Sequence, residues 1–198
     1  MSIQGVKQAI YHGDTLSLAL HLSTLQDING DFVELGGQGI LFYILDEFFT
    51  DVFTDVMDII LQHNPDLNKR DEDGQTILHV STLDGNRKAM EHILKAGVDI
   101  NAMDNTGRTA LHFMCAQEDP SMTNLLLTWG ADYNLADSLT GYSPLHYACH
   151  WQRVHTAALL IHAGADIDLL DNQGKTPYDY LEEAATIQLS RLLLDLDI

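Results

Sequence analysis

His146, Cys149, His150, His155 and His162 fall within one short stretch of the chain. His146 and His150 stand four residues apart, so on a helix their rings share a face and could share a metal ion. A zinc site needs three or four ligands, and no C-x-x-C or H-E-x-x-H is present to complete one. The two cysteines, Cys115 and Cys149, are too few for a disulfide framework, and nothing beside either in sequence lowers a thiol pKa. Acids cluster at Asp46/Glu47, Asp71/Glu72/Asp73, Glu118/Asp119 and Glu182/Glu183. Paired carboxylates can perform acid–base work inside a cleft; on turns they are solvated charge. Phosphate-cradling, dinucleotide-binding and nucleophile-elbow motifs are absent, and "ELGGQG" is followed by no lysine-bearing helix. The expectation is therefore a protein without catalytic residues, metal or cofactor.

The elements that position these residues emerge from self-similarity. "DEDGQTILH" starts at Asp71, "DNTGRTALH" at Asp104, "DSLTGYSPLH" at Asp137 and "DNQGKTPYD" at Asp171. Thr76, Thr109, Ser143 and Thr176 follow one another at intervals of 33, 34 and 33 residues, the extra residue lying ahead of Gly141. A second landmark keeps the same step: "KAGVDIN", "TWGADYN" and "HAGADID", with Gly97, Gly130 and Gly164.

One copy can be read physically. Thr76, Thr109 and Ser143 sit where a hydroxyl can N-cap a short helix. Pro144 and Pro177 occupy the first helical position, where a missing N–H costs nothing. Leu78, Leu111 and Leu145 begin the core side. A second helix follows, with Ala89, Met90, Ile93 and Leu94 at helical spacing, and Leu125–Leu127 and 158–161 in the later copies. Gly97, Gly130 and Gly164 end that helix in the left-handed region.

This pattern resembles the ankyrin repeat, whose T-P-L-H helix start, G-A-D-x-N helix exit and 33-residue period match residues 66–180. The resemblance implies an all-α solenoid of stacked helix–turn–helix units joined by β-hairpin-like fingers. Strong repeats are expected over 71–103, 104–136 and 137–170, with a degenerate repeat over 39–70. An N-terminal cap and long connector take up 1–38, and a C-terminal cap 171–198. In the degenerate repeat, Asn64 stands where the glycines stand. The resemblance also gives His79, His112 and His146 a structural role, bonding the capping hydroxyl and nearby backbone. Cys115 and Cys149 occupy equivalent positions, ~8–10 Å apart in stacked helices, against the ~7 Å limit for a disulfide. Two free, buried thiols are expected.

In that family, fingertips, first-helix ends and the following turns grip partner proteins. Those positions are Glu72, Asp73, Gln75 and Asp84 in the first strong repeat. The next supplies Asn105, Thr106, Arg108, Gln117 and Trp129. The third supplies Ser138, Tyr142, His150 and Trp151, and the last Asn172 and Lys175. Trp129 has an alternative place between second helices. Family resemblance also marks Asn134 and Asn101 as possible substrates of an asparagine hydroxylase, beside a simpler role in closing the finger.

The net charge of −19 repels nucleic-acid phosphates and anionic lipid heads. It favours a protein partner with a basic surface, with no nucleic-acid, membrane or small-molecule partner expected. An inhibitor that covers a basic active or nucleic-acid-binding site is the alternative. The N-terminus lacks an apolar signal region and no apolar run reaches ~18 residues, so a cytoplasmic protein is expected.

Overall fold

The computed structural model describes residues 3–25, 27–30, 39–47, 53–83, 85–117 and 119–195. Among these, every regular element is helical. The chain divides into two compact units, Met1–Asp99 and Ile100–Ile198.

The first unit contains α1 (Ile3–His12), α2 (Thr15–Ser23), α3 (Ile40–Glu47), α4 (Phe53–Leu61), α5 (Ile77–Leu83) and α6 (Arg87–Lys95). Second helices stack on second helices, α2 on α4 on α6, while α3 packs on α5. Each helix is short and buries one stripe, so its stability comes from its neighbours. Ile10, Leu18, Ile44, Met57, Ile60, Leu78, Met90 and Ile93 form the core. Asn64 takes φ +50°, the left-handed helix exit expected of it.

The second unit contains α7 (Ala110–Ala116), α8 (Pro120–Thr128), α9 (Pro144–His150), α10 (Val154–Ala163), a 3-10 turn at Pro177–Tyr180, and α11 (Glu183–Asp195). Helix α7 packs on α9 and α9 on the 3-10 turn; α8 packs on α10 and α10 on α11. Leu111, Met114, Leu126, Leu145, Leu160 and Leu189 fill the space between the layers. Cys115 and Cys149 are buried and unbridged, as expected. Gly97, Gly130 and Gly164 all lie at positive φ.

Side chains of the repeat motif tie each copy to the next. The finger asparagine accepts the backbone N–H of the following finger's aspartate: Asn68 from Asp99 (3.1 Å), Asn101 from Asp132 (2.9 Å) and Asn134 from Asp166 (2.9 Å). Asn29 does the same for Asp66 at 2.6 Å. Residues 27–29, "DIN", thus form a helix exit like 99–101, placed 39 residues ahead of Asp66 rather than 33. The capping threonines act differently from a simple N-cap. The main-chain N–H of Thr76, Thr109 and Ser143 donates to Nδ1 of His79, His112 and His146 at 3.0–3.1 Å, and each hydroxyl stands 2.9 Å from the same nitrogen. The Ser143 hydroxyl also accepts the His146 N–H, at 3.4 Å, and a capping box closes at Thr109 as well. At the C-terminal cap, Asp179 replaces histidine and accepts from the Thr176 N–H and hydroxyl at 2.8 and 2.9 Å.

Candidate protein-binding site

Each finger is built around its leading aspartate. In the second unit, Asp104 Oδ1 accepts from the N–H groups of Thr106 and Arg108. Asp137 Oδ1 accepts from Leu139, Thr140 and Gly141, and Asp171 Oδ1 from Gln173 and Lys175. The extra residue of the 34-residue step is absorbed here, because Thr140 turns its hydroxyl to Asp137 Oδ2 at 2.7 Å. Successive fingers then join through Ser138 N–H to Thr106 O (2.8 Å) and Asn172 N–H to Thr140 O (2.9 Å). Gly107 and Gly141 make that approach possible: a Cβ would meet the next finger's nitrogen at 2.6 and 2.9 Å, and both have positive φ.

The outer oxygen of each aspartate is held by a side chain, an arginine in the first of the three fingers and a tyrosine in the next two. Arg108 grips Asp104 Oδ2 through Nε (3.1 Å) and a terminal nitrogen (2.9 Å) and lays its guanidinium 4.5 Å from the Phe113 ring centre. In the next repeat Tyr142 takes the arginine position and Tyr147 the phenylalanine position, and the Tyr147 hydroxyl donates to Asp137 Oδ2 at 2.8 Å. In the cap the Tyr180 hydroxyl donates to Asp171, while the Lys175 ammonium lies 4.9 Å over the Tyr180 ring. All three carboxylates are buried. Burial alone would raise the Asp104 and Asp137 carboxyls, but these hydrogen bonds outweigh it and hold both below the usual carboxylate range.

The histidines are props. Nδ1 accepts the cap N–H, so the proton is on Nε2, which donates to the next finger's carbonyl: His112 to Tyr142 O and His146 to Lys175 O, both at 3.2 Å. Burial pushes the His112 imidazole down to about 4 and lowers that of His146. Burial also drives the thiols up, Cys149 to about 12, so neither presents a thiolate nucleophile. Among the described residues no three His, Cys, Asp or Glu side chains group as metal ligands.

Packing the finger against the first-helix end gathers aromatic rings. Tyr142 stacks on His146 (5.5 Å) and lies 5.6 Å from Tyr147, 5.8 Å from His150 and 5.2 Å from Tyr180. His150 meets Trp151 at 5.4 Å and Tyr180 at 5.5 Å. Trp151 caps α9 and remains 51% exposed. Tyr142, His150, Trp151 and Lys175 therefore share one surface. Asn105, Ser138 and Asn172 are exposed on the fingers, Thr106 and Arg108 half-buried there, and Gln117 half-buried at the end of α7. Trp129 ends α8, a second helix, where it is 42% exposed; among the described residues no ring contact joins it to the cluster. In the first unit, Glu72 and Asp73 are exposed and Gln75 half-buried. Asp84 lies outside the described residues.

The cluster includes two residues not anticipated from sequence, Tyr147 and Tyr180. The available signal was the aromatic column Phe113, Tyr147, Tyr180, each on the first turns after the cap. No helix of the described residues is long and apolar enough to cross a membrane. A family model described as "Ankyrin repeats (3 copies)" matches residues 49–137 and 111–198. No curated protein matches the chain significantly.

Proposed function

The chain belongs to the ankyrin-repeat family, and on that premise we propose that it is a non-enzymatic docking protein whose second unit grips a partner through its finger and first-helix surface. Ankyrin repeats generally mediate protein–protein interaction. The observation that carries the proposal is the ring cluster of Tyr142, His150, Trp151 and Tyr180, with an exposed tryptophan at its rim. Tyrosine and tryptophan supply large contact area at little entropic cost, and interfaces concentrate their binding energy in such residues. A monomer gains little by exposing Trp151, whereas Tyr147 and Tyr180 are tied to buried carboxylates. The commitment of His112 and His146 to backbone groups and the buried, protonated thiols of Cys115 and Cys149 support the non-enzymatic reading.

The charge of −19 and the exposed Glu72 and Asp73 of the first unit favour a partner with basic surface nearby, mainly by speeding encounter. The same charge supports a second reading, an inhibitor that covers a basic active or nucleic-acid-binding site. Affinity capture from lysate tests both. Trp151→Ala with Tyr142→Ser should abolish capture, and Glu72→Lys with Asp73→Lys should slow it and reduce its salt dependence. Capture unaffected by the aromatic changes contradicts the docking surface. A captured partner that keeps its full activity when saturated eliminates the inhibitor reading.

A further inference from the structure

We infer that the Trp151 side of the ring cluster takes an arginine-bearing basic segment of the partner, with the guanidinium on the indole and Glu182 and Glu183 of the C-terminal cap as its counter-charges. The inference rests on the docking role proposed above. The second unit already pairs its rings with cations. The Arg108 guanidinium lies 4.5 Å from the Phe113 ring centre, and the Lys175 ammonium 4.9 Å from that of Tyr180. Tryptophan has the ring best suited to such a pair. Yet among the described residues no cation lies over Trp151, which is 51% exposed and has His150 as its ring neighbour at 79°. Arg153, two residues further on, is committed to the Ala116 carbonyl at 3.2 Å.

The residue after Trp151 ties this ring to an acidic segment. Gln152 has φ +58°, in the left-handed region, and its side-chain amide bridges the cap. Its Nε2 donates to Tyr180 O at 2.8 Å, and its Oε1 accepts the Glu182 N–H at 3.0 Å. The Glu182 backbone is therefore held against the turn that carries Trp151. Glu182 and Glu183 are both exposed, and among the described residues neither carboxylate has an ion pair or hydrogen bond. Asp137 and Asp171 differ, because backbone N–H groups and hydroxyls already occupy their oxygens. Asp179 is exposed but accepts from Thr176 and has the Lys175 charge near it.

Charge then selects the occupant. Residues 100–198 hold thirteen Asp and Glu against four Lys and Arg, a field that repels an acidic segment and draws in a basic one. A neutral segment packs on the rings and gains nothing from the two carboxylates. Arginine fits better than lysine. Its planar guanidinium stacks on the indole while its N–H edge stays open to a carboxylate, and it is the more weakly hydrated cation.

The test is a fluorescence anisotropy titration of the full chain with short fluorescein-labelled oligoarginine, beside oligolysine and polyproline of equal length. Physiological ionic strength screens the long-range field. Oligoarginine should bind about threefold tighter than oligolysine, and its isotherm should weaken about fivefold both in Trp151→Ala and in Glu182→Gln with Glu183→Gln. Glu72→Gln with Asp73→Asn, an equal loss of charge in the first unit, should leave it within about twofold, since screened charges act over a short range. In the Trp129→Phe protein, where Trp151 is the remaining tryptophan, its emission should change on binding of oligoarginine. Oligolysine or polyproline binding as tightly as oligoarginine overturns the inference, as does an isotherm unchanged in Trp151→Ala or in the double glutamate variant. If that happens while Trp151→Ala with Tyr142→Ser still abolishes capture from lysate, the docking surface stands and only the arginine chemistry falls. If capture is also unaffected, both fall.

Discussion

The two units use the same finger for different ends. Asp71, in the first, is exposed and accepts from the finger N–H groups of Asp73 (3.0 Å) and Gln75 (2.7 Å). Gln75 and Val80 occupy the positions that Tyr142 and Tyr147 fill in the second unit, and Val80 has no polar group to offer a carboxylate. Asp104, Asp137 and Asp171 are buried and each is claimed by a further side chain. The same motif thus yields a solvated acidic tip in one unit and a rigid aromatic surface in the other. Two positions per repeat, the residue before the cap and the fourth after it, decide which.

The largest expected effect separates these roles. Asp137→Ala strands three finger N–H groups and two hydroxyls, and should cost about 4 kcal/mol in denaturant unfolding followed by circular dichroism; Asp71→Ala should cost about 1 kcal/mol. Equal losses would erase the distinction. Acid should act next, through His112. Its unfolded imidazole takes a proton near pH 6.5 and its folded one only near 4. The unfolded state therefore binds more protons across that window, and stability falls as pH drops from 6.5 towards 4, by on the order of 3 kcal/mol. Unfolding curves through the window check this, and His112→Asn should flatten the slope. A profile unchanged by that substitution would remove the neutral prop.

Smaller effects sharpen the picture. Tyr147→Phe should cost about 1.5 kcal/mol because Asp137 loses a donor, whereas Phe113→Tyr should gain nothing, since Arg108 already holds Asp104. The Thr123 hydroxyl in α8 is buried without a hydrogen-bond partner, so Thr123→Val should raise stability by about 1 kcal/mol, read as a higher melting temperature.

The 33-residue step made the repeats legible because Thr109, Ser143 and the exit glycines each occupy positions where few residues are tolerated. Trp151 was legible as an exposed turn residue, since it follows a core cysteine by two and reaches the turn. Asn29 was harder to recognise. Its "DIN" repeats that of 99–101, but a spacing of 39 residues breaks the period, and only the bond to Asp66 N–H restores the equivalence. Tyr180 was hidden for another reason: its contacts run to Asp171 and Tyr142, and their ring and hydroxyl geometry exists only after the cap folds onto α9. The finger acids misled in the opposite direction. Their spacing reads as surface charge, yet in the second unit the leading aspartates are internal acceptors, which no count of charges reveals.

The ring cluster of the second unit is the proposed place at which a partner docks. Hydrogen–deuterium exchange of the full chain, with and without a captured partner, tests this most directly. Protection over residues 138–151 and 172–180, with α8 and α10 unchanged, is the predicted result. Protection confined to α8 and α10, with the 138–151 segment exchanging as in the unbound chain, would contradict it.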